Sequence, residues 1–169
     1  MITCTEFDSP LGPLLVAASG QGLCGLYFRE HRHFRGADGW RRDARQPLLL
    51  EARAQLDDYF AGRRQAFDLP LAAQGTTFQK AVWRELAKIA HGDLLSYGEL
   101  AQRLGQPRAV RAVGAAIGRN PLCIIVPCHR VVGANRALTG YAGGLARKQA
   151  LLALEGVMPA PGAPAAPGR

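Results

Sequence analysis

The sequence predicts an α+β fold in two units: a small N-terminal domain with an antiparallel sheet and a helix, then a mainly helical C-terminal domain carrying a winged-helix-like helix-turn-helix. Three observations point there. The first thirty residues alternate short apolar runs with turn signals. Apolar residues then recur at helical spacing in several later stretches. Charge, finally, divides unevenly along the 169-residue chain.

In chain order, "ITCTEF", "LLVAAS" and "LCGLYF" are separated by "SPLGP" and "GQG" and read as three short strands joined by tight turns. "REHRHFRGADGWRRDARQ" reads as an irregular surface loop. In "PLLLEARAQLDDYFAG", Pro47 suits a first helical turn. Leu49, Ala52, Leu56 and Phe60 then form an apolar stripe, and Gly62 stops the helix. These elements make up residues 1–74.

The second unit, residues 75–157, opens with Thr76 and Gln79 at capping-box spacing and a stripe of Phe78, Val82, Leu86 and Ile89. Ser96 and Glu99 repeat the capping signal, and Gly105 ends the next helix. "QPRAVRAVGAAIGRN" follows with Pro107 at or near a first turn, so two short helices read as a helix-turn-helix. "LCIIV" reads as a short buried strand closed by Pro127. A Gly-rich loop and a last helix lie in "YAGGLARKQALLALEGV". Residues 158–169, rich in Pro and Ala, cannot bury a core and are expected to be a disordered tail.

Residues 1–74 carry nine Lys and Arg against nine Asp and Glu, whereas residues 75–157 carry eleven against four. A generally basic surface would explain a high pI but not this asymmetry; a polyanion-binding module explains both. On a helical wheel over residues 108–119, Val110, Val113 and Ile117 face the core. Arg108, Arg111, Ala115, Gly118 and Arg119 face outward. Gly114 and Gly118 each cost about 1 kcal/mol of helix stability relative to Ala, so tight packing or close approach to a ligand keeps them. Apart from arginine the outer face lacks base-reading side chains and fits backbone contact and shape better. The N-terminus shows no export signal, and no apolar run approaches the roughly 20 residues of a membrane span. With four scattered cysteines, the reducing cytoplasm is the expected compartment.

Cys4, Cys24 and Cys123 sit in apolar runs and read as small buried hydrophobes. Cys4 and Cys24, with His31 and His33, could make part of a zinc site, but no CxxC or HxxxH spacing supports it. Cys128, in "IIVPCHRVV", has different company. His129 and Arg130 favour thiolate, and Pro127 places the thiol where a strand becomes a loop. It could be a nucleophile, a metal ligand or a bystander. A nucleophile needs a base, and the base an orienting group. Glu155, the only acid after Glu99, is either that third partner or a solvent-facing helix end, and the residues alone leave both open.

"PCHRVV", placed after "GRNP" and before "GYAGGLARKQALLALEG", resembles the O6-alkylguanine-DNA alkyltransferase family over residues 76–157, and "DSPLGPLLVA" resembles that family's more variable first domain. The resemblance implies direct-reversal DNA repair. The alkyl group of O6-alkylguanine, and to varying degrees of O4-alkylthymine, moves irreversibly to Cys128, once per molecule. His129 matches the residue that takes the thiol proton through a bound water, and Glu155 the acid that orients it. Tyr97 matches the phenol that hydrogen-bonds the departing guanine. Arg111 matches the finger that enters the duplex, on a DNA-binding helix region with Arg108, Ala112, Gly114 and Ala115. Asn120 matches a brace between this helix and the acceptor segment. Val131, Tyr141 and Ala142 match the pocket lining, with Arg130 in support. The implied partner is double-stranded DNA, bound through the minor groove with the alkylated base flipped. No cofactor, metal or obligate protein partner is implied, and the protein is expected to be monomeric and free of membranes. A non-catalytic lesion-binding module is the alternative. Further rivals are a helix-turn-helix transcription factor, which would show sequence-reading side chains on the outer helix face and a dimer interface, and a Cys-His hydrolase, which would turn over repeatedly and gives no reason for the basic second unit.

Overall fold

The computed structural model describes residues 1–158, so the expected tail lies outside the described residues from position 159 onward. The three expected strands form an antiparallel meander: β1 (Thr3–Phe7), β2 (Leu14–Ser19) and β3 (Gly22–Phe28). A fourth, β4 (Arg41–Arg42), comes from the stretch read as irregular loop and pairs parallel with β1, giving the order β3-β2-β1-β4. Alternation along β2 divides the interior. Leu14, Val16 and Ala18 face the main core, whereas Leu15 and Ala17 join Cys4 in a smaller cluster with Phe34 and Trp40 packed against it.

Helix α1 (Pro47–Phe60) starts with Pro47 in its first turn, and the Gln46 side chain accepts from the Leu49 amide at 2.8 Å. Gly62, at φ 77°, turns the chain away. Its buried stripe ends on Tyr59, not Phe60, which is half-buried. Both positions satisfy the spacing from Leu56; a buried acceptor for the Tyr59 hydroxyl decides between them.

The outer edge of β3 is covered by segments of both units. Leu23 exchanges backbone bonds with Pro70 and Ala72 (2.8 and 2.7 Å), and Leu26 with Pro121 and Cys123 (2.8 and 3.2 Å). One hydrophobic cluster accordingly contains Leu26 and Leu56 as well as Leu100, Leu122 and Leu151.

Helices α2 (Thr77–Leu86) and α3 (Tyr97–Arg103) begin at the two anticipated capping boxes, each with both reciprocal bonds formed. Helix α4 (Val110–Gly118) is tied to α2 by the Trp83 indole, which donates to the Ala116 carbonyl at 2.8 Å. The wheel needs correction here. Because α4 begins at Val110, Pro107 and Arg108 lie in the turn before it, and Val110 at its first turn is exposed; Ala116 joins Val113 and Ile117 in the core. Two elements were not anticipated, β5 (Leu95–Ser96) and β6 (Val131–Val132), which pair in parallel. The last helix, α5 (Leu145–Leu154), lies where expected. Among the described residues no helix is long and apolar enough to cross a membrane.

The run "LCIIV" is not a strand. The Ile125 amide bonds the Cys123 carbonyl and the Val126 amide that of Leu122, at 2.8 and 2.9 Å, and Ile124 sits at φ 73°. A β-branched residue in the left-handed region costs about 1–3 kcal/mol, so the surroundings must enforce it. Ile124 is buried and Asn120 fastens the turn from inside.

His31 supplies a test of the interior. Its Nδ1 accepts from the His33 amide and its Nε2 is buried without a partner. Burial, then the neighbouring His33, lowers its pKa from 6.5 to about 4. The unfolded chain therefore binds a proton here more readily than the folded one, and stability falls as pH drops from 6.5 toward about 4. Urea midpoints measured across that window should decline by the equivalent of about 1–2 kcal/mol more in the native protein than in His31→Gln.

Candidate active site

The parallel pairing of Leu95 with Val131 and Ser96 with Val132 brings the start of α3 beside the segment that follows Cys128. Tyr97, first residue of α3, thereby joins Cys128 on the wall of a cavity of about 250 Å³. Gly114, Ala115, Ile117 and Gly118 of α4 form another wall, and Gly140, Tyr141 and Ala142 a third. A Cβ added at Gly114 or Gly118 would meet nothing closer than 3.8 Å, so tight packing is not what keeps these glycines. Both line the cavity.

Cys128 does not end a strand; it opens a 3-10 turn, Cys128–Arg130. Successive side chains of such a turn point about 120° apart, so three adjacent residues serve three surroundings. Cys128 lines the cavity, His129 is fully buried, and Arg130 runs into the core. His129 Nε2 lies 2.7 Å from Glu155 Oε2. Arg130 grips the same carboxylate through Nε to Oε1 at 2.7 Å and Nη2 to Oε2 at 3.0 Å, and donates from Nη1 to the Ile89 carbonyl at 2.6 Å. The Tyr59 hydroxyl donates to Oε2 at 2.6 Å. Glu155 is thus buried and paired with His129, Arg130 and Tyr59, not a solvated helix end.

A carboxylate at a helix C-terminus opposes the helix dipole, and this one is buried as well. Burial pushes its pKa up, but the hydrogen bonds from His129, Arg130 and Tyr59 prevail and hold it well below the usual carboxylate range. Being ionised, it can only accept, so His129 must carry its proton on Nε2 when neutral. Burial lowers the imidazole pKa further than Glu155 raises it, so the ring is neutral near pH 7. Its other nitrogen, Nδ1, is buried with no partner and is free to accept a proton.

The Cys128 thiol is shifted toward thiolate. A hydrogen bond from the Cys123 thiol is the chief cause; burial opposes it, while the Asn120 amide and the Lys148 ammonium assist. Asn120 Nδ2 donates to the Val126 carbonyl at 2.9 Å and Oδ1 accepts from the Leu122 amide at 3.0 Å, fixing the turn that carries both cysteines. Lys148 is fully buried, with Nζ donating to the carbonyls of Val131, Thr139 and Gly140 at 2.6, 2.8 and 3.1 Å. Tyr97 donates from its hydroxyl to the Thr139 carbonyl at 3.1 Å.

Of the sequence-derived pocket residues, Tyr141 and Ala142 line the cavity, whereas Val131 and Arg130 do not: both are buried behind it, one offering its carbonyl to Lys148 and the other neutralising Glu155. Arg108 in the turn before α4, and Arg111 and Ala112 in its first turn, are exposed, and neither arginine pairs with an acid among the described residues. Sequence reasoning missed Tyr59, Cys123 and Lys148. Tyr59 had a signal, its helical spacing. Cys123 looked like any apolar filler, and Lys148 like any surface lysine. Among the described residues no group of three or more His, Cys, Asp or Glu could hold a metal, and Cys4 and Cys24 are free thiols.

Residues 77–157 match the model of the 6-O-methylguanine DNA methyltransferase DNA-binding domain, and residues 2–73 that of the same enzymes' ribonuclease-like domain. The chain is 48% identical over 151 residues to the methylated-DNA–protein-cysteine methyltransferase of Methanosarcina acetivorans, covering 89% of this chain and 96% of that one. It is 47% identical over 155 residues to the Mycobacterium leprae protein of the same name, covering 92% and 93%. The crystal structure of Mycobacterium tuberculosis OGT in complex with DNA superposes with a TM-score of 0.87 at 46% identity, covering 91% of this chain and 93% of that one.

Proposed function

Since the chain belongs to the 6-O-methylguanine DNA methyltransferase family, whose work is direct-reversal DNA repair, we propose that Cys128 is its alkyl acceptor and that His129, Glu155 and Tyr97 drive the transfer. One observation carries this assignment. Cys128 is the one cysteine lining the cavity, and the residue after it is a buried histidine held by Glu155 with its outer nitrogen unpartnered.

The thiol proton passes through a water to His129 Nδ1, and the imidazolium so formed is stabilised by Glu155. The thiolate attacks the O6-bound alkyl carbon in line, a C–S bond forms as the C–O bond breaks, and the electron pair withdraws into the purine. Guanine is a poor leaving group as an anion. The Tyr97 hydroxyl, exchanging the Thr139 carbonyl for the ring, supplies the hydrogen bond that eases departure. The product is a thioether, which cellular thiols do not exchange, so each molecule acts once.

Helices α3 and α4 act as a helix-turn-helix on the minor groove of the duplex. Arg111 enters the stack where the alkylated base has flipped out, Arg108 and Ala112 lie along the backbone, and Gly114 and Ala115 allow close approach. Extraction of the base costs a few kcal/mol, less for a mispaired lesion, and these contacts offset it. The protein works as a monomer in the cytosol, a setting in which its four free thiols persist. A cysteine at position 128 with a poised base beside it leaves the non-catalytic lesion-binding reading without support.

The experiment is intact mass followed by peptide mapping after incubation with a duplex bearing one O6-methylguanine. The expected result is a gain of one CH2 per chain on the peptide containing Cys128, with no second turnover. Catalytic turnover, or a methyl group mapped elsewhere, overturns the assignment.

A further inference from the structure

The N-terminal unit has no net charge, yet its charges are not mixed. The stretch that follows β3 alternates inward and outward side chains. His31 is buried against the edge of Tyr27, and Phe34 stacks on Tyr27 at 4.5 Å and leans on Trp40. Arg32 and Arg35, between them, are exposed. Two acids of this unit are engaged with other arginines: Glu6 with Arg29 at 2.7 Å and Glu30 with Arg147 at 2.9 Å, whereas Asp38, in the same loop, forms no ion pair among the described residues. Among the described residues, Arg32, Arg35 and Arg119 form no ion pair.

This loop reaches the active-site cavity. The Arg32 amide donates to the Ala142 carbonyl at 2.9 Å, and Arg32 and His33 line the same cavity as Cys128 and Tyr97. A Cβ on Gly118 would stand 3.9 Å from His33 Nε2, so the loop lies against the end of α4, where Arg119 caps the helix. After burial, the positive charges of Arg119, Arg32 and Arg35 lower the His33 pKa. Arg32 thus lines the cavity, Arg35 follows it in the same loop, and Arg119 ends the helix against which that loop lies.

We propose that Arg32 and Arg35 of the N-terminal unit, together with Arg119, form a second phosphate-binding site, gripping the DNA backbone beside the nucleotide that enters the cavity. The proposal rests on the DNA-repair reading above. The rim is anchored by packed aromatic rings and a backbone bond, so its arginines are presented without ordering a disordered loop. It adds the supposedly neutral first unit to the DNA-binding surface.

Each phosphate contact contributes about 0.9 to the slope of log affinity against log salt. Binding of an undamaged duplex, followed by fluorescence anisotropy from low to moderate salt, is compared for the native chain, Arg32→Ala/Arg35→Ala, Arg32→Lys/Arg35→Lys and Arg111→Ala. The expected result is a slope flattened by about two in the double alanine variant, with several-fold weaker binding, and recovery in the lysine variant, which keeps the charge. An unchanged slope in the double alanine variant, with weakened binding in Arg111→Ala, overturns the proposed rim and leaves the DNA-repair reading intact. Failure of lysine to restore the slope also overturns it, because a phosphate contact needs only the charge. Absence of salt-dependent duplex binding by the native chain overturns both.

Discussion

Cys128→Ser should abolish methyl transfer from an O6-methylguanine duplex while leaving lesion binding in place. Serine is smaller, so it fits where the buried thiol sat. The oxygen, however, has no accessible anion. Cysteine has a measurable thiolate population near neutral pH, and here Cys123, Asn120 and Lys148 all move Cys128 in that direction. A hydroxyl starts from a much higher pKa than these groups can overcome, and His129, kept neutral by burial, is too weak a base to deprotonate it fully. Intact mass should show no adduct after incubation times that convert the native protein completely, and a band shift with the lesion duplex should persist. The paired variant Cys123→Val separates the two buried thiols. It should still accept the methyl group, more slowly near pH 7, because Cys128 loses the donor that chiefly lowers its pKa. A methylated Cys128→Ser chain, with the group on Cys123, would reverse the two roles.

Glu155→Ala should destabilise the whole protein, not the site alone. The carboxylate accepts from Tyr59, His129 and twice from Arg130, all of them buried. Deleting it strands a guanidinium whose side chain is 7% exposed. Breaking a buried pair from one side costs about 3–5 kcal/mol, against a total stability of about 5–15 kcal/mol for a domain of ordinary size. The expected readout is a large fall in the urea midpoint with unchanged slope. Glu155→Gln retains shape and one acceptor but not the charge. It should fold better than the alanine variant and still lose roughly two or more orders of magnitude in single-turnover rate, because the His129 imidazolium is no longer stabilised. An alanine variant as stable as the native chain would mean that Arg130 finds its compensation elsewhere.

These two residues mark the boundary between what local pattern reveals and what it hides. The capping boxes at Thr76 and Ser96, Pro47 at a helix start and the three alternating strands are settled within a few residues, and all stand where the sequence puts them. Adjacency in sequence suggests that Arg130 tunes the thiol; a 3-10 turn sends it instead to Glu155. Phe60 and Tyr59 were equivalent by spacing, and a carboxylate 96 positions away made the choice. The apolar run before Pro127 had strand composition, but the Asn120 side chain competes for its backbone and folds it into turns.

Legible in the residues alone were the α+β class, the starts of α1, α2 and α3, the basic second unit and, through the motif around Cys128, the family. Each of these depends on contacts or propensities that span less than about two helical turns, or on composition, which needs no geometry. Packing settled the rest: that Glu155 is buried and paired, that His129 keeps an unpartnered nitrogen, that Cys123 favours the Cys128 thiolate and that Arg32 and His33 line the cavity. The physical reason is that a buried charge is tolerable only with partners that satisfy it, and those partners come from whichever segments the packed core brings together.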